Sequence, residues 1–363
     1  MDLKTHLKRL CDAHGPAGYE IAVRETLRAD WQPLVDQLEN GALGSLIGLK
    51  RGHAHADTLT ASRPRIMLCA HIDEIGMIVH HIDGAFLAVT SLGGIDARVM
   101  VGQPVIVHCD PPLRGVVGVA PWHTLSSEQT GVYTPRSELL IDVGLDAETL
   151  RQCVHVGDAI TADTALLDLT AQRVTGKALD DRACVAAITA CLEALQTRQH
   201  SWDVLAVASV QEEVGGFGAM TEAHRLQPAM AIALDVTFAD PGTAHGSFAL
   251  NGPPPLGLGA NFHPALYQML RAAGSRMEME LRPDPIPMVS GTDAWPIQIS
   301  QDGIPTALIQ VPLRNMHSPV EIVDMRDIER AGRLLAEFIC GLDSETLSKL
   351  TWDVPRPEGA DHD

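Results

Sequence analysis

Residues 202–236 read WDVLAVASVQEEVGGFGAMTEAHRLQPAMAIALDV. Trp202–Val210 predicts a strand, and its stretch Val204–Val210, apolar but for Ser209, predicts burial on both faces. Glu212, Glu213, Gly215 and Gly216 interrupt it, and Gly216–Leu226 has the length and spacing of a helix. A second buried strand, Ala229–Val236, follows. Two such strands joined through a helix lie parallel. The alternation continues downstream with helix Pro264–Ala273, strand Met277–Arg282, helix Asp293–Ser300, strand Pro305–Gln310 and helix Met325–Cys340. Upstream, a helix is predicted from about Asp181 to Gln199. A helix over residues 1–13 sets Leu3, Leu7 and Leu10 on one stripe and stops at Gly15-Pro16-Ala17-Gly18. A second runs through about Trp31, and strands Leu43–Leu49 and Arg65–Ala70 flank a polar loop, Arg51–Ser62. These elements predict an α/β fold: a mixed, mainly parallel sheet flanked by helices.

From Ile75 to about Asp163 the texture differs. GMIVHHID, AFLAVT, QPVIVHCD, GVVGVA and ELLIDVG are short Val- and Ile-rich runs between Gly and Asp turns, with one helix near Asp146–Gln152. This predicts a small β-rich insert. The division expected is a discontinuous domain of residues 1–73 and 166–350, an insert of residues 74–165, and a polar tail at 351–363. The segment Pro121–Arg136 reads as a long flexible loop.

Composition narrows the function. The chain has 363 residues, 45% of them apolar but only 4% aromatic, so its core is aliphatic. A formal charge of −19 disfavours nucleic-acid partners. Neither a signal peptide nor a membrane helix is expected, because no apolar run approaches the length either needs. The seven cysteines are odd in number and scattered, without a CxxC pair, which points to a reducing cytoplasm.

Acids and histidines recur where strands end. His71 closes the strand at 65–70, and Asp73 lies on the same side two residues on. Asp180 precedes a long helix, where a carboxylate could bridge two cations. Glu212 and Glu213 follow an apolar strand, Asp235 ends another, and His317 lies in a loop after Pro305–Gln310. Each has an ordinary alternative: a strand-end histidine, a helix cap (respectable for Asp181), a solvated strand end, a turn residue, a surface loop. Together they form a donor set suited to zinc, cobalt or manganese, gathered where ligands bind in open α/β sheets. Three carboxylates would neutralise two divalent ions except for one charge, which a bridging hydroxide would supply.

The blocks His71-Ile72-Asp73-Glu74-Ile75-Gly76, Leu179-Asp180-Asp181-Arg182, Glu212-Glu213-Val214-Gly215 and Gly291-Thr292-Asp293-Ala294 stand in the order of the glutamyl and deblocking aminopeptidase family. The chain resembles that family from Gly15-Pro16-Ala17-Gly18 to His317-Ser318-Pro319-Val320-Glu321, departing at Ala17, where the family usually has Ser. The resemblance implies a zinc-peptidase-like fold with an inserted PDZ-like domain used for subunit contacts. It implies two divalent metal ions bridged by Asp180, one completed by His71 and Asp235, the other by Glu213 and His317. It also implies Glu212 as general base, Asp73 as the residue orienting His71, a cis peptide between Asp180 and Asp181, and a homo-oligomer, either a dodecamer or its dimer building blocks.

The expected activity is removal of the N-terminal residue from short peptides by a metal-bridging hydroxide. Three other readings compete. A di-metal carboxypeptidase or deacylase would use a similar metal cage. A glycosidase would leave His71 and His317 without a role. A metal-binding scaffold would leave Glu212 without one.

Overall fold

The computed structural model describes residues 1–53, 63–120, 123, 138–170, 172–240 and 247–352. Apart from His123, the loop expected at Pro121–Arg136 lies outside the described residues, as does the tail from residue 353.

In chain order the elements are α1 (Leu3–Asp12), α2 (Ile21–Trp31), β1 (Gln37–Asn40), β2 (Leu46–Lys50), β3 (Arg65–His71), β4 (Gly76–Asp83), β5 (Phe86–Leu92), α3 (Ala97–Met100), β6 (Pro104–Val107), β7 (Leu113–Gly118), β8 (Leu140–Asp142), α4 (Ala147–Cys153) and β9 (Ala159–Ala162). There follow β10 (Leu167–Asp168), β11 (Arg173–Gly176), α5 (Leu179–Ala194), β12 (Asp203–Ser209), α6 (Phe217–Leu226), β13 (Met230–Phe238), β14 (Leu256–Leu258), α7 (Pro264–Arg276), β15 (Pro283–Pro285), α8 (Ala294–Gln298), β16 (Thr306–Leu313), β17 (Glu321–Asp324) and α9 (Met325–Cys340).

The main sheet has the order β1-β2-β12-β3-β13-β16-β14-β15. Its four central strands, β12, β3, β13 and β16, are mutually parallel, with β2 and β14 antiparallel at their flanks. Burial explains the unbroken apolar runs: β16 is buried along its whole length, and β13 at all but its last residue. Helix α5 is nearly all buried, consistent with its lack of a polar face. α9 packs against it closely: a Cβ on Gly332 would lie 2.6 Å from the Ala187 carbonyl oxygen. A small second sheet, β10-β11-β17, ties the segment before α5 to the segment before α9.

Strands β4-β5-β8-β7-β6-β9 close into an antiparallel barrel with its own apolar core, including Val79, Leu87, Val105, Ile141 and Ile160. The β-rich stretch is therefore a separate layer, and it carries a second short helix, α3, beside the one expected. The strand expected at Met277–Arg282 does not form. Instead α7 runs on to Arg276, and the amides of Met277 and Met279 both donate to the Gly274 carbonyl, with Glu278 at φ 57°. The Met277, Met279 and Leu281 alternation marks one side packed on the core, not a paired strand.

Candidate metal centre

The carboxyl ends of the four central strands gather the predicted histidines and all of the predicted acids but Asp180. His71 is the last residue of β3, in register with Ser209 of β12. Two residues beyond Ser209 the backbone turns at Gln211, whose φ is 60°, and presents Glu212 and Glu213. Asp235 lies near the end of β13, beside Gln310 of β16. His317 sits in the loop between β16 and β17 at φ 60°. Asp180 enters from the first turn of α5, where the Asp180–Asp181 peptide is cis and the backbone is not yet helical. The Asp181 carboxylate is buried and accepts no backbone amide, so Asp181 does not serve as a helix cap.

Among the described residues, two groups bring their ligand atoms within 4.8 Å of one another: His71, Asp180 and Asp235, and Asp180, Glu213 and His317. Asp180 belongs to both. Its Oδ1 lies 3.2 Å from His71 Nε2 and its Oδ2 lies 3.4 Å from His317 Nε2. Glu213 Oε1 is 3.5 Å from the same His317 nitrogen. Ligands about 2.0–2.2 Å from a tetrahedral ion stand roughly 3.3–3.6 Å apart. These separations and the nitrogen and oxygen donors fit divalent ions. Glu212 stands beside the groups, its Oε2 3.9 Å from His71 Nε2.

Backbone contacts hold the donors. His71 Nδ1 faces the Asp73 carbonyl oxygen at 3.1 Å, closer than the Asp73 carboxylate at 3.5 Å. The Asp73 carboxylate instead accepts the amides of Glu212 and Glu213, each at 3.1 Å. Glu321 is its counterpart across the site, accepting the amides of Asp180 at 3.1 Å and His317 at 2.9 Å. Sequence reasoning gives Glu321 no role; a buried acid between Val320 and Ile322 is the available signal. The turn before α5 is anchored by a buried charge cluster. Lys177 Nζ donates to both Glu74 carboxylate oxygens at 2.8 Å, and Arg182 donates to Glu74, Ile72 and Leu10.

The local charges conflict. Burial, then the Asp180 charge, pushes the Glu213 carboxyl up to about 7. Burial likewise raises Glu212 and Asp235 well above the usual carboxylate range. Burial alone would lower His317, but Asp180 and Glu213 outweigh it and raise the imidazole to about 9. Bound cations would replace the protons that such a cluster otherwise shares.

The sequence profile of the M42 glutamyl aminopeptidase family matches residues 44–334. The lysyl aminopeptidase of Pyrococcus furiosus is 31% identical over 336 residues, covering 90% of this chain and 94% of that protein. The TET aminopeptidase of Thaumarchaeota archaeon SCGC AB-539-E09, from marine sediment, has a similar structure, with a TM-score of 0.89 at 29% identity, covering 97% of this chain and 100% of that one. The TET1 peptidase of Pyrococcus horikoshii, which can assemble into a tetrahedron or a large octahedral shell, gives 0.81 at 27% identity, covering 94% and 100%.

Proposed function

The chain belongs to the M42 glutamyl aminopeptidase family and is a metal-dependent aminopeptidase; from that premise we propose that it removes the N-terminal residue of short peptides with Glu212 as general base. The observation that carries this reading is the placement of Asp180, whose two carboxylate oxygens face two different histidines. His71, Asp180 and Asp235 would hold one divalent ion, and Asp180, Glu213 and His317 a second. Zinc or cobalt, and after them manganese, suit these donors. When bound, the ions supply Lewis acidity to the scissile carbonyl and lower the pKa of the attacking water.

Glu212 takes a proton from that water and returns it to the leaving amine. Asp73 fixes the backbone of Glu212 and Glu213 together, so the base and a ligand move as one unit. We assign this chemistry to residues 1–73 and 166–350, and to residues 74–165 a role in subunit contacts of a homo-oligomer, a dodecamer or its dimers. No helix of the described residues is long and apolar enough to cross a membrane.

The test is a pair of dipeptides, one blocked at its amino end and one at its carboxy end, assayed with and without a chelator. Metal-dependent cleavage of only the carboxy-blocked substrate is expected. Cleavage of only the amino-blocked one would replace this reading with a carboxypeptidase or deacylase.

A further inference from the structure

The two histidines of the site are held differently. His71 Nδ1 meets a carbonyl of its own turn, that of Asp73. His317 Nδ1 meets the carbonyl of Gly94, at 3.1 Å, and Gly94 belongs to the barrel, in the turn between β5 and α3. A donor hydrogen bond from Nδ1 leaves Nε2 as the free, correctly aimed lone pair. His317 Nε2 is the atom that faces Asp180 and Glu213.

The same turn touches Glu213. A Cβ on Gly93 would lie 3.0 Å from Glu213 Oε2, and a Cβ on Gly94 only 2.5 Å from His317 Nδ1. Little slack separates the two layers: Ile95, Ser318 and Pro319 line a cavity of ≈ 20 Å³, room for about one water. Gly94 does not have a positive φ, so alanine there meets a steric limit and not a backbone one.

We propose that the Gly93–Gly94 turn of the barrel is a positioning element for the ion site of Asp180, Glu213 and His317, so that this site is completed only across the junction between barrel and sheet. The inference rests on the reading of those three residues as ligands of one ion. It gives the barrel a part in the metal centre beyond any subunit contact.

The experiment strips the full-length protein with a chelator and titrates it with cobalt(II), following visible absorption and equilibrium dialysis. Gly94→Ala is expected to weaken one of two ions by about 10–100-fold, the loss typical of outer-shell partners, with the other unchanged. The unchanged ion also shows that the variant is folded. Gly118→Ala, in β7, without a positive φ and with its Cβ 3.8 Å from the Leu140 carbonyl oxygen, serves as the barrel control and should leave both ions in place. The proposal is overturned if Gly94→Ala binds both ions like wild type, if it weakens both alike, or if Gly118→Ala reproduces its effect. A wild-type protein that binds fewer than two ions overturns the ligand reading and this inference with it.

Discussion

Asp73→Asn separates two jobs that the wild-type carboxylate combines. Asp73 is fully buried, and its two oxygens each accept one amide, from Glu212 and Glu213. Asparagine keeps one acceptor and turns an NH2 group toward the other amide. The lost bond to a charged acceptor is worth about 1.5–3 kcal/mol, and the stranded donor costs about 1–3 kcal/mol more. The strain falls on the turn that aims Glu212. Turnover of the metal-loaded variant is therefore expected to drop about 10–100-fold. The contact at His71 Nδ1 is to a backbone carbonyl and survives the substitution. Binding of the ion held by His71, Asp180 and Asp235 should stay within about threefold of wild type, less than 1 kcal/mol. The assay is steady-state hydrolysis of an aminoacyl amide at saturating metal, beside a metal titration. Normal turnover of loaded enzyme with a large loss of affinity for the ion held by His71, Asp180 and Asp235 would show instead that Asp73 acts through His71.

Other perturbations reach different parts of the site. Glu321→Gln should weaken both ions, because Glu321 holds the amides of the shared Asp180 and of His317; the cobalt titration distinguishes it from Gly94→Ala, which should weaken one. Glu74→Gln leaves Lys177 and Arg182 buried without their counter-charge and should cost about 3–5 kcal/mol in urea unfolding at neutral pH. Burial would raise the Glu74 carboxyl, but Lys177 and Arg182 outweigh it and hold it below 4.5. A depressed folded pKa stabilises above the unfolded value, so the wild-type advantage over Glu74→Gln should be full above about pH 4.5 and fade as pH falls through the folded value. An advantage that grows on acidification would contradict this assignment.

The central βαβ pattern was legible because the parallel strands are buried on both faces and read as continuous apolar runs. The acids were legible because each interrupts or closes such a run: Glu212 and Glu213 after β12, Asp235 near the end of β13. Shorter and more polar pieces were not. β1 is an edge strand of Gln37, Leu38, Glu39 and Asn40, and β14 has only Leu256–Leu258, so neither carries a periodic signal. Met277–Arg282 misled because alternation reports which side is packed, not whether the backbone is paired. The contacts that aim the donors left still less trace. Gly94 serves His317 through a carbonyl oxygen, 223 residues away in the chain, and any residue type has that atom. Glu321 grips amides, which likewise have no signature in sequence.

In the proposed mechanism Glu212 does the proton transfer while five other side chains hold the ions. Glu212→Gln separates the two roles when metal content and turnover are measured on the same preparation. Two bound ions and a fall in kcat of about 10²–10⁴-fold are expected. Two bound ions with turnover near that of the wild type would contradict that mechanism.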